Sequence, residues 1–429
     1  MVKPEKMVIY NLFPLLAGKV SEWESHLGRA AEMGFNWVFV NPIHLTGSSG
    51  SLYSIKDYFQ INPILVDPDS AKSPDAQVKE VNKAAEELGL RMMVDLVINH
   101  CAVDSVLLSE HPEWFHWDQE GHVGKPFCYE NGKKVVWEDL AKFDYWHTRD
   151  QEGLFLYFCK ALKFLIDLGF RGFRCDAAYQ IPESFWERLI REARSLHPDV
   201  HFFAETLGCT PEQTKNTAGA GFDYIFNSSK WWDFHNSWLM EQYNLTRDVV
   251  PSVSFPESHD TCRLADEFQG NTNGLKQRYL FSALYSAGVL VPIGFEFGFR
   301  KRLHVVKTRS VDWEDTDVDL TSFITKVNKI KESYGIFQIE APTDFIDYHN
   351  PNILIMWKGS QDVPGESLII LNKDIHNKQR FDTDSLRGFI RSGGELGDVS
   401  PEYPLDYLPE PFSYDLRPGQ GIVLVTENI

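Results

Sequence analysis

The chain has 429 residues, 43% of them apolar, and a formal net charge of −19. That length suits one large domain plus a small one, with enough apolar side chains for a full core. So negative a charge argues against nucleic acid or another polyanion as partner, while a neutral sugar is compatible with it. No apolar stretch reaches the length of a membrane span. Residues 1–6 lack the basic start and long apolar run of a secretory leader. Cys101, Cys128, Cys159, Cys175, Cys209 and Cys262 are scattered without Cys-x-x-Cys spacing, so they carry no metal or disulfide signature. The expected location is the reducing cytoplasm.

In chain order, 8–10 reads as a first strand. Residues 21–33 read as a helix with Ser21 as N-cap and Glu24 completing a capping box, ended by Gly34. Residues 37–40 form an apolar strand, 74–88 a helix stopped by Gly89, and 90–96 a strand. After a long insertion, 154–169 has apolar residues at helical spacing and 170–175 is a short buried strand. Helix 183–196, strands 201–204, 222–226 and 252–255, helix 276–287, strand 289–293 and helix 321–333 follow. Eight strands alternating with helices indicate an α/β fold, an eightfold β/α (TIM) barrel over 1–335 with a short insertion at about 101–151. Beyond 335 the pattern becomes short alternating runs (352–358, 367–372, 421–426) split by Gly, Pro, Asp and Asn. That is a C-terminal antiparallel β domain, a sandwich over 336–429.

Barrel chemistry sits where the strands end at their C-terminal face. Asp95, Asn99 and His100 follow the third strand, Arg174 and Asp176 the fourth, Glu205 the fifth, and Glu257, His259 and Asp260 the seventh. Arg174 and Asp176 are two apart on a strand and so share a face, where the cation favours the ionised form of Asp176. One such pair is as readily a structural ion pair. Four strand ends that each deliver a carboxylate are a different matter, because unpaired buried acids are costly.

Asp95-Leu-Val-Ile-Asn99-His100, Gly172-Phe-Arg174-Cys-Asp176-Ala177, Phe203-Ala-Glu205-Thr206 and Phe255-Pro-Glu-Ser-His259-Asp260 resemble the four signature regions of the α-amylase family, glycoside hydrolase family 13, in order and spacing. Tyr53-Ser-Ile-Lys-Asp57-Tyr58 resembles the family's segment after the second strand. The resemblance covers about 8–335. It implies Asp176 as nucleophile, Glu205 as acid/base and Asp260 as the third carboxylate, gripping the sugar's hydroxyls. It further implies that Arg174, His100 and His259 orient sugar and nucleophile, that Tyr53 stacks on the sugar, and that Asp95 braces the loop beneath. Retention needs two carboxyls about 5–5.5 Å apart, one ionised and one protonated. Glu205 ends an apolar strand near two other acids, so its pKa is expected to rise.

The chain departs from the family pattern in places. Ser258 stands where Asn is usual, and Tyr179 and Gln180 stand where calcium-dependent amylases often have Lys-His. Asn99 occupies a calcium-ligand position, yet the short insertion leads us to expect no metal and no cofactor. Segments 111–115, 185–187 and 197–205 resemble the bacterial branch of maltosyltransferases that use maltose 1-phosphate, although that branch has Asn where this chain has Ala177. Segment 51–57 resembles amylases and eukaryotic glycogen debranching enzymes. The basic stretch Arg300, Lys301, Arg302, Lys307 and Arg309 is either a phosphate site or a solvated loop. Trp114, Trp117, Trp137, Trp146, Trp231, Trp232 and Trp238 are candidates both for sugar stacking and for loop packing. Cys101, His44 and His304 have no partner placed for chemistry.

The resulting expectation is a retaining glycosidase acting on α-1,4-glucosidic bonds of glucans or malto-oligosaccharides, with no nucleic-acid or membrane partner. The alternatives are a transglycosylase on the same scaffold and a catalytically inactive glycan-binding barrel. Oligomeric state is not readable from the sequence.

Overall fold

The computed structural model describes residues 5–130 and 133–426, without the side chains of 128–130. Residues 1–4 of the stretch read for a leader, and the Cys128 thiol, lie outside the described residues. Eight parallel strands close a barrel in sequential order: β1 (Met7–Leu12), β2 (Trp37–Val40), β3 (Arg91–Leu96), β4 (Gly172–Cys175), β5 (His201–Ala204), β6 (Tyr224–Phe226), β7 (Ser252–Ser254) and β8 (Gly288–Pro292), which pairs back onto β1. This is the eightfold barrel that the alternation indicates.

The strands read as unbroken apolar runs because both faces are buried. Met7, Ile9, Trp37, Phe39, Met93, Phe203, Val253 and Leu290 fill the interior, while Val8, Tyr10, Val38 and Val40 face the helices. Gly172 is required at this packing: a Cβ there would lie 2.6 Å from the Trp37 ring.

Helices Pro74–Glu87, Gln151–Asp167, Glu183–Leu196 and Thr321–Ser333 lie close to their expected bounds. Ser73 and Asp150 cap the first two through their side chains. The expected cap at Ser21 is replaced. A 3-10 turn, Val20–Glu22, precedes helix Trp23–Glu32, and Glu22 rather than Glu24 reaches back, to the Lys19 N–H at 2.9 Å. Trp23 Nε1–H donates to Gly18 O at 3.0 Å and pins the turn, so a side-chain anchor five residues back overrides the capping-box signal. Helices Pro211–Gly219 and Trp238–Thr246 and the hairpin His44–Thr46/Ile55–Ile61 were not legible in the sequence. No helix among the described residues is long and apolar enough to cross a membrane.

Seven further strands follow the barrel: β9 (Thr343–Ile346), β10 (Ile353–Gly359), β11 (Glu366–Asn372), β12 (Gln379–Thr383), β13 (Leu396–Asp398), β14 (Phe412–Leu416) and β15 (Gly421–Thr426). One antiparallel sheet runs β9-β10-β11-β15-β13, and β12 pairs with β14. Ile355, Leu368, Ile370, Phe381, Phe412 and Leu416 pack in a common core. The joint with the barrel is tight: Lys358 Nζ donates to Tyr285 O at 2.6 Å, and Trp232 stacks on Phe345 with centroids 4.8 Å apart.

Candidate active site

The register of the barrel places the site. Arg174 on β4 lies beside Asp95 on β3. The ladder continues past the strand ends, with Asp176 N–H donating to Leu96 O and Glu205 N–H to Cys175 O. Asp95, Arg174, Asp176 and Glu205 therefore converge. Arg174 Nη1 donates to Asp95 Oδ1 and Asp176 Oδ1, both at 2.8 Å, and Nη2 lies 3.4 Å from Glu205 Oε2. One buried guanidinium thus serves three carboxylates. Burial opposes its charge, but Asp95, Glu205 and their neighbours outweigh that and push its pKa well above the usual value. Such a cation is needed, since a buried charge without a partner is strongly destabilising.

Behind it runs a chain of hydrogen bonds. Asn11 Nδ2 donates to Asn41 Oδ1 at 3.0 Å, Asn41 Nδ2 to Tyr53 Oη at 3.0 Å, and Tyr53 Oη–H to Asp95 Oδ2 at 2.6 Å. Because Tyr53 spends its proton on Asp95, it accepts from His259 Nε2–H, 2.7 Å away. Burial pushes the Asp95 carboxyl up to about 6, against the pull of Arg174. Asp95 is fully buried, which fits its expected bracing position. The Tyr53 ring stacks on His259, with centroids 5.8 Å apart and planes 7° from parallel.

Glu205 has a different environment. Its Oε2 accepts the Ala177 N–H at 2.6 Å. Ala177 reaches it in a left-handed conformation (φ 41, ψ 46), costly for a residue with a Cβ. Burial raises the Glu205 pKa to about 7; Arg174 opposes this, and Asp176 and Asp260 add to it. Asp260 shows the opposite balance: its surroundings in the cleft would raise it, weakly because the side chain is 53% exposed, and His259, Arg174 and Arg302 bring it down to about 2. His259 Nε2 lies 3.0 Å from Asp260 Oδ2. His100 Nε2–H donates to Tyr53 O at 3.1 Å, its Nδ1 is buried without a partner among the described residues, and burial lowers its pKa. One carboxyl inclined to hold a proton, beside carboxylates on a shared guanidinium, can divide acid and base roles.

All seven expected site residues, Tyr53, His100, Arg174, Asp176, Glu205, His259 and Asp260, fall in this one network. Three contributors went unread: Asn11 and Asn41, polar residues interrupting or ending apolar strands, and the Ala177 amide, for which a sequence offers no signal. Glu257, which also follows the seventh strand, does not join. It pairs with Arg263 Nη1 at 2.8 Å, both buried, and accepts the Leu264 N–H. In the basic stretch, Arg302 Nη2 donates to Asp260 O at 2.7 Å and so reaches the site. Arg300 lies 3.7 Å from Asp266, Lys301 3.8 Å from Asp312, and Arg309 bonds the carbonyls of Val306 and Thr308. Trp114 and Trp232 are buried packing residues, whereas Trp117, Trp137, Trp146 and Trp231 are exposed. Cys101 and His44 are buried, with His44 packed on Tyr58.

Asn99 Oδ1, at the position of a calcium ligand, is buried and has no partner among the described residues. Calcium takes six to eight oxygens, of which Asn99 Oδ1 would supply one. Among the described residues the His, Asp and Glu group with metal-ligand spacing is His111, Glu113 and Asp150. There the Asp150 oxygens already accept from Trp114 Nε1–H at 3.0 Å and Gly153 N–H at 2.9 Å, which commits them to capping a helix.

Comparison with known proteins agrees with this architecture. Residues 1–120 match the family model described as glycogen debranching enzyme, glucanotransferase domain. The chain is 26% identical over 329 residues to an α-1,4-glucan:maltose-1-phosphate maltosyltransferase of Burkholderia pseudomallei, covering 74% of this chain and 28% of that protein. It is 25% identical over 341 residues to a cyclomaltodextrinase of a Bacillus species, covering 72% of this chain and 58% of that protein. In both cases it spans less than two thirds of the relative. The α-amylase of Geobacillus thermoleovorans, solved with acarbose, superposes with a TM-score of 0.78 at 16% identity, covering 99% of this chain and 98% of that one. The chain is thus similar in sequence, over about three quarters of its length, to a maltosyltransferase and a cyclomaltodextrinase, and in fold, over nearly all of it, to a solved α-amylase.

Proposed function

We propose that this chain is an α-amylase-family enzyme that cleaves α-1,4-glucosidic bonds of glucans or malto-oligosaccharides with retention, through a covalent glycosyl-enzyme intermediate. The observation that carries the reading is Arg174 holding Asp95 and Asp176 beside a Glu205 whose pKa is raised. Asp176 attacks the anomeric carbon while protonated Glu205 gives its proton to the leaving oxygen; Glu205 then takes a proton from the incoming hydroxyl. Asp260 and His259 hold sugar hydroxyls, Tyr53 offers a ring face, and His100 borders the same pocket. Residues 1–335 form the catalytic barrel and 336–429 an accessory β sandwich, in a cytoplasmic protein that needs no metal.

Water as acceptor makes this a hydrolase, a sugar hydroxyl a transglycosylase. The maltosyltransferase relatives favour the second reading, as does Arg302, a cation placed against Asp260 at the mouth of the site. Product analysis with maltoheptaose, with and without inorganic phosphate, separates them. Shorter sugars alone mean hydrolysis, longer ones mean transfer, and a sugar phosphate means a phosphate-linked donor. Unchanged maltoheptaose would reduce the barrel to a binding module and defeat the proposal.

A further inference from the structure

Away from the barrel mouth, the loop after β13 is built as a rigid mount. Val399 N–H donates to Val423 O at 2.8 Å and Val423 N–H to Ser400 Oγ at 2.9 Å, which ties its first residues to β15. The Asp398 carboxylate closes it, accepting Ser400 N–H at 2.8 Å and Leu405 N–H at 2.9 Å. Between these ties stand Pro401, Glu402, Tyr403 and Pro404. Tyr403 is left-handed (φ 54), a genuine outlier for a bulky aromatic residue. The strain does not serve burial, because Tyr403 is 49% exposed. The Arg417 guanidinium lies 3.7 Å from its ring centroid and supports the ring.

Two clefts of about 490 and 400 Å³ flank this ring, and both are lined by Glu402 and Tyr403. Both walls mix apolar and polar groups: Lys276 Nζ pairs with Glu402 Oε1 at 2.6 Å, Lys378 and Gln420 line one cleft, and Lys326, Lys329 and Ser333 stand among Ile330, Val399 and the prolines of the other. A pinned aromatic face with hydrogen-bonding groups on either side suits a ligand that is apolar on its faces and rich in hydroxyls at its edges. A sugar ring has that pattern, and the two clefts continue it to both sides of the ring.

We propose that Tyr403, backed by Arg417, is the stacking platform of a second glucan-binding site, separate from the catalytic cleft. Its ligand is an α-glucan chain, and that choice rests on the function proposed above. The site holds polymer against the enzyme and has no part in bond cleavage.

The test compares wild type with Tyr403→Gly, which removes the ring and suits the backbone, and with Tyr403→Phe, which keeps the ring. Binding to glycogen is measured by co-sedimentation, and turnover is measured on maltotriose. Glycine is expected to weaken glycogen binding by roughly tenfold, on the scale of one aromatic contact. Phenylalanine is expected to bind as wild type, and all three proteins to turn over maltotriose equally. Unchanged glycogen binding in Tyr403→Gly would overturn the proposal, and so would displacement of glycogen by inorganic phosphate, which would make the clefts an anion site. Lack of maltotriose turnover in every protein would instead count against the catalytic reading, while glycogen binding lost with the ring would still support this site.

Discussion

Replacing Glu205 by Gln is expected to abolish acid catalysis and yet stabilise the fold, by an amount that depends on pH. Glu205 has a folded pKa raised from the ordinary 4.5 to about 7. Below pH 4.5 the carboxyl is protonated whether the chain is folded or not, and the group costs nothing. As pH rises towards 7 the unfolded chain releases the proton while the fold retains it, so stability falls. Above 7 the fold carries a desolvated carboxylate, and the loss is complete. At about 1.4 kcal/mol per pH unit, the rise from 4.5 to about 7 makes the full loss roughly 3–4 kcal/mol. Gln keeps the shape and can still accept the Ala177 N–H through its Oε, without that penalty. For a chain of 429 residues the unfolding entropy is roughly 0.9 kcal/mol/K, so the gain in Tm is roughly 4 °C. The assay is thermal unfolding of both proteins at pH 4.5 and pH 8. A gain at pH 8 that vanishes at 4.5 is expected; an equal shift at both values, or none at pH 8, would refute the reasoning.

Asp176→Asn is expected to leave the fold intact and lower turnover of maltoheptaose by several orders of magnitude, and near-normal activity would remove Asp176 from the nucleophile position. With protonated Glu205 as the proposed acid, kcat/KM is expected to fall as pH rises through about 7, the value to which burial brings it, and a profile flat across that value would argue against the assignment. Chelation with EDTA is expected to leave activity unchanged, because Asn99 offers one orphan oxygen and Asp150 is committed to Trp114 and Gly153; activity lost and then restored by calcium would show a metal in use.

The barrel was legible because parallel strands buried on both faces leave unbroken apolar runs, and because Gly89 stops a helix as its chemistry dictates. The clustering at the candidate site was legible because Arg174 and Asp176 stand two apart at a strand end and three other strands end in acids. What escaped depended on contacts that residue patterns do not announce. Glu257 looked like one more acid at a strand end, and only folding reveals Arg263 beside it. Trp23 bonding Gly18 moved a helix start that local pattern put at Ser21. The left-handed turn at Ala177, which aims an amide at Glu205, has no glycine or asparagine to announce it.

The central claim is a covalent intermediate on Asp176. Glu205→Gln incubated with α-maltosyl fluoride, whose leaving group needs no acid, should accumulate that intermediate, because the base for its hydrolysis is gone. Mass spectrometry of the digested protein is expected to find a maltosyl unit on the peptide that carries Asp176. Fluoride release with no adduct, and a product of inverted configuration, would contradict the account.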